Sequence, residues 1–150
     1  MMMLRRCVFL LGLLSIGVSF AEEPGGAVDS ELRYVADIEL ETEDDLSELL
    51  TRAGQMFLEG TVKQEQGAVV LVLHGPVLKA LLRPNYAESQ EVVNQAASLA
   101  ALGVLEIKAC RSWLSKNGMD ARQLQPFVEV VSYGSTEVSR LVEDEGYIFF

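Results

Sequence analysis

The chain has 150 residues, with 22 acidic against 12 basic side chains and a formal charge of −10 at pH 7. That balance speaks against nucleic acid or anionic lipid as partners, because both need clustered Lys or Arg. The length suits one ordinary domain with a sizeable core.

In chain order, Arg5 and Arg6 precede a nearly unbroken apolar stretch, Cys7 to Val18. It has signal-peptide length and is too short to span a bilayer comfortably. Ser19-Phe20-Ala21 follows with small residues at the third and first positions before a cleavage point after Ala21. We therefore read 1–21 as a signal peptide, 22–32 as a flexible acidic N-terminus and 33–150 as the folded domain. The mature protein is expected to be periplasmic or secreted, with no membrane contact after cleavage.

Tyr34 to Leu40 alternates like a strand. Thr42 and Asp45 have capping-box spacing, and Leu46, Leu49, Leu50, Ala53 and Phe57 follow at helical intervals, so the pattern predicts a helix over 43–58 closed by Gly60. Ala68 to Leu73 is a continuous β-branched apolar run, the signature of a strand buried on both faces. His74-Gly75-Pro76 turns the chain, and 76–82 reads as a short helix or irregular segment broken by Pro84. A helix is predicted over 87–101, ended by Gly103, and a third strand over 104–109 ends at Cys110. A short helix over 112–117 stops at Gly118, and a fourth strand covers 127–131. Ser135 is placed to cap a helix over 136–144 closed by Gly146, and 147–150 reads as a last strand. Strands alternating with helices predict a single three-layer α/β domain, with a mainly parallel five-stranded sheet and helices on both faces.

The candidate chemistry follows from that layout. Of two cysteines, Cys7 leaves with the signal, so Cys110 has no partner within the mature chain. In an open parallel sheet, ligands bind outside the carboxyl ends of the strands. Cys110 closes the third strand there, and the only histidine, His74, closes the second. The helix following Cys110 offers free N–H groups to a thiolate, and Arg111 adds positive charge nearby. His74 is a candidate acid or base, Gly75 shapes its turn, and Trp113 could wall a pocket beside the thiol. One Cys and one His do not make a metal site, and no Gly-rich phosphate or dinucleotide loop is present, so neither metal nor cofactor is expected.

Leu105-Glu106-Ile107-Lys108-Ala109-Cys110, with a short helix reaching Gly118-Met119, resembles the DsrE/TusD-like family of sulfur-relay proteins. Val70 to Val77, the alanine-rich helix ending at Leu102-Gly103-Val104, and Leu141 to Tyr147 are similar to the family too, so the resemblance covers roughly 33–150. The turn after the second strand departs from the sulfurtransferase subunits, which carry an aromatic-led basic stretch where this chain has His-Gly-Pro. The resemblance implies a subunit of a homo-oligomer, a trimer or hexamer. It also implies that Cys110 accepts sulfane sulfur as a persulfide and exchanges it with a donor or acceptor protein. The alternative is a non-catalytic oligomeric module that binds a small ligand, with Cys110 only part of the wall. A third reading is an intermolecular disulfide through Cys110.

Overall fold

Five strands and four helices alternate along residues 32–64 and 67–150, the part of the chain described by the computed structural model. The expected signal peptide, and all of the expected N-terminal segment except Leu32, lie outside the described residues. The strands are β1 (Tyr34–Glu39), β2 (Val69–His74), β3 (Leu105–Cys110), β4 (Val128–Val131) and β5 (Ile148–Phe149). The helices are α1 (Glu43–Leu58), α2 (Gln90–Ala101), α3 (Arg111–Lys116) and α4 (Gly134–Glu145), with short 3₁₀ turns at Pro76–Lys79, Arg83–Asn85 and Ala121–Gln123.

The strands form one sheet in the order β4-β3-β2-β1-β5, with every neighbouring pair parallel. β2 is central, and Val69 to Leu73 are fully buried, as a strand covered on both faces requires. Connections between parallel strands are almost always right-handed. β1 to β4 are laid down in one direction across the sheet, so their connecting helices share one face. The return from β4 to β5 runs the opposite way and must use the other face. The packing agrees. Leu46 and Leu50 of α1, Val92 and Ala96 of α2 and Leu114 of α3 join one core. Val138 and Leu141 of α4 pack with Val35, Val70 and Val72 on the opposite face.

Local chemistry explains most boundaries. At the start of α1 the Thr42 hydroxyl accepts from the Asp45 N–H, and the Asp45 carboxylate accepts from the Thr42 N–H. This reciprocal pair satisfies two otherwise orphaned donors. At the end of α4, Gly146 adopts φ +73°, the left-handed conformation that closes helices.

Three expectations need correction. α2 begins at Gln90 and not near residue 87, because residues 85–89 close a turn in which the Glu88 and Ser89 N–H groups both donate to the Asn85 carbonyl. Pro84 does not break a helix; it sits in the first turn of the 3₁₀ segment Arg83–Asn85, where a missing N–H costs nothing. Ser135 does not cap α4. That helix begins at Gly134, two residues earlier than expected, with Tyr133 at the cap position and making no side-chain capping hydrogen bond.

Candidate functional site

The strand order fixes where a crevice forms. At the carboxyl ends of the sheet, the chain leaves β3 toward the α1/α2 face and leaves β4 toward the α4 face. The two loops diverge between neighbouring strands, which is the topological switch point where open α/β sheets bind ligands. Cys110 closes β3 at this point. A pocket of about 230 Å³ opens beside it, lined by Asp37 of β1, His74 of β2, Cys110, Ser112, Trp113 and Lys116 from β3 and α3, and Tyr133, Gly134 and Ser135 from the start of α4.

Cys110 is 6% exposed and has no disulfide partner. Burial pushes its thiol up from the ordinary value. Hydrogen bonds to the sulfur from the Ser112 hydroxyl and from the backbone N–H groups of Trp113, Gly134 and Ser112 outweigh that, and the net displacement is downward. The Ser112 hydroxyl lies 3.1 Å from the sulfur and is its donor when Cys110 is a thiolate. The uncapped start of α4 thus has a purpose: the Gly134 N–H serves the sulfur in place of a capping side chain. The two loops are also tied together, since the Ser112 N–H donates to the Ser132 carbonyl at 3.3 Å.

Gly134 has little room to be anything else. A Cβ there would lie 3.1 Å from Val72 Cγ1, 3.6 Å from Asp37 Oδ1 and 3.8 Å from Cys110 Cβ. Asp37 and Cys110 therefore both lie within 4 Å of one point. His74 is their neighbour. The β2/β3 pairing ends at Leu73 and Ala109, so His74 and Cys110 come next, on adjacent strands about 4.8 Å apart and facing the same side. His74 Nε2, on a partly buried side chain, stands 3.5 Å from Asp37 Oδ1.

Two residues before Cys110, on the same face of β3, lies the buried cation Lys108. Its Nζ is 2.9 Å from Glu129 of β4 and 2.9 Å from Glu137 of α4. Burial pulls the ammonium down, but the hydrogen bonds to Glu129 and Glu137 prevail and raise it overall. The Arg140 guanidinium, aided by Lys108 against the effect of burial, holds the Glu137 carboxyl down at about 2. This network fastens the first turn of α4 to β3, and with it the Gly134 N–H.

Of the residues singled out from sequence, Cys110, His74 and Trp113 come together in the pocket. Arg111 and Gly75 do not line it. Arg111 is exposed. Gly75 has φ +101°, and a Cβ there would lie 2.4 Å from the Leu40 carbonyl, so its role is the tight approach of two loops. Sequence reasoning missed Asp37, Ser112 and Gly134. For Asp37 a signal was present, since strict alternation along β1 puts it on one face with Val35. A larger groove of about 520 Å³ between α1 and α2 is lined by no titratable side chain, and the titratable residues lining two other pockets are carboxylates alone, Glu106 in one and Glu43, Asp44 and Glu91 in the other.

No family model and no characterised protein matches this chain. A solved structure does. The chain is similar to MTH1491, a protein of unknown function from Methanobacterium thermoautotrophicum, with a TM-score of 0.63 and 22% identity over 79% of this chain and 97% of that one. The likeness is one of fold. Among the described residues, no group of three or more His, Cys, Asp or Glu is arranged to hold a metal ion, and no helix is long and apolar enough to cross a membrane.

Proposed function

We propose that the protein is an exported, homo-oligomeric sulfur carrier in which Cys110 takes sulfane sulfur as a persulfide and passes it to an acceptor protein. The observation that supports this most is the set of donors around Sγ at the loop switch point. A thiolate is the nucleophile in sulfur exchange, and hydrogen bonds that favour it lower the cost of forming it at neutral pH. The same donors stabilise the persulfide anion that results. Transfer needs no metal and no triad: the thiolate attacks the outer sulfur of a persulfide, and the acceptor's thiolate later attacks the sulfur carried on Cys110. The resemblance of β2 and of the β3–α3 segment to the DsrE/TusD-like pattern points the same way.

Mass spectrometry after exposure to a persulfide donor tests the proposal. The expected result is a gain on Cys110 in steps of about 32 Da, one sulfur each, removed by reductant and absent from Cys110→Ser. A thiol that stays unmodified while other solvent-accessible cysteines in a control protein are persulfidated would leave the non-catalytic ligand-binding module as the better reading.

A further inference from the structure

The sulfur-transfer reading uses only the thiolate, yet the pocket holds a second functional pair that nothing in that step requires. His74 is the register neighbour of Cys110, and its Nε2 faces the Asp37 carboxylate at 3.5 Å. Asp37 sits on the next strand, aligned with Val72, under the start of α4. A carboxylate on one ring nitrogen fixes the imidazole's orientation and leaves Nδ1 as the nitrogen that exchanges a proton. The other titratable groups around His74 are Glu39, its partner on β1, and Lys116 and Tyr133 at the pocket, all three exposed.

We infer that Asp37 is a positioning residue that holds His74 as a proton shuttle beside Cys110, and that the site is therefore built for a donor whose leaving group must be protonated, an organic persulfide of a small thiol. This rests on the sulfur-transfer reading. Cys110 enters the step as the thiolate that its hydrogen-bond donors favour. The proton needed by the leaving group is held on His74, both groups having exchanged protons with solvent beforehand. The thiolate attacks the terminal sulfur of the donor R–S–SH, forming a Cys110 S–S bond as the donor's S–S bond breaks. The bonding pair leaves on R–S⁻, which takes the proton from His74. The products are Cys110–S–SH and R–SH, with no net oxidation. Thiosulfate would differ, because its sulfite leaving group is weakly basic and needs no proton. Leaving-group basicity governs these exchanges.

The test compares three reactions at Cys110 in wild type and Asp37→Asn at pH 7: sulfur uptake from cysteine persulfide, sulfur uptake from thiosulfate, and alkylation by iodoacetamide, whose iodide leaves without a proton. The expected result is that Asp37→Asn slows uptake from cysteine persulfide by about 10²-fold, within the usual range for general acid–base catalysis. The other two reactions change far less. His74→Gln should show the same loss, with no further loss in the double variant, and Asp37→Glu should recover part of it. Equal slowing of all three reactions would make Asp37 a structural residue and overturn the shuttle, as would no slowing at all. Wild type that gains sulfur from neither donor would overturn the sulfur-transfer reading and the shuttle with it. Uptake by wild type with an indifferent Asp37→Asn would overturn the shuttle alone.

Discussion

At the scale of single residues, the behaviour of Cys110 depends on neighbours that come from three different parts of the chain. Gly134 is the most exposed to test. Its N–H reaches Sγ only because its Cα lies close against Val72, and an added Cβ at 3.1 Å from Val72 Cγ1 forces a small withdrawal of α4. Gly134→Ala should therefore move the midpoint of Cys110 alkylation toward that of a free thiol and slow alkylation several-fold at pH 7. Global stability should change by under about 1 kcal/mol, because the strain is offset by the better helix propensity of alanine. Unchanged alkylation would mean that the Gly134 N–H does not serve the sulfur. Cys110 and His74 were legible as residues of the candidate pocket because a strand end after an apolar run is visible in one dimension. Gly134 was not, because its proximity depends on which loops become neighbours, whereas Ser112, two residues after Cys110, and Asp37, on one face with Val35, left local signals that patterning alone does not single out. Gly75 was legible as special, but its reason is the Leu40 carbonyl, 35 residues away in the chain.

At the scale of elements, α4 is held over the sheet by little apolar surface, mainly Val138 and Leu141, so the Lys108–Glu137–Arg140 network carries much of its placement. Glu137 has a folded-state value of about 2 against an ordinary value of 4.5. Its contribution is thus fully present above about pH 4.5 and is lost as pH falls toward 2. Thermal melts of wild type and Glu137→Gln should differ by roughly 1–2 kcal/mol at pH 6, a figure reduced for partial solvent access, and converge as pH falls through about 2. Parallel curves across that range would contradict the assignment. Sequence patterning located all five strands and four helices, since each has its own periodicity or caps. It misplaced the start of α4 because Ser135 looks like a cap, whereas the first N–H of the helix is reserved for Cys110. The buried role of Lys108 was hidden for a similar reason: a lysine within Leu105–Cys110 reads as an outward-facing residue until Glu129 and Glu137 are placed beside it.

At the scale of the whole molecule, the order β4-β3-β2-β1-β5 explains why chemistry gathers at one place. Right-handed crossovers put α4 alone on its face and make the loops after β3 and β4 diverge, so the crevice beside Cys110 follows from topology and not from any local motif. A sequence pattern of five strands does not give their order, and this is why the strand end could be named beforehand but the pocket could not. The same topology seats the Asp37–His74 pair on adjacent strands, in the lining of the pocket that holds Cys110.

The most direct test of this account is the pH dependence of iodoacetamide alkylation at Cys110 in the intact protein. The account predicts an inflection clearly below the free-thiol value of about 8.5, moved upward by Ser112→Ala. An inflection at or above that value in wild type would contradict it.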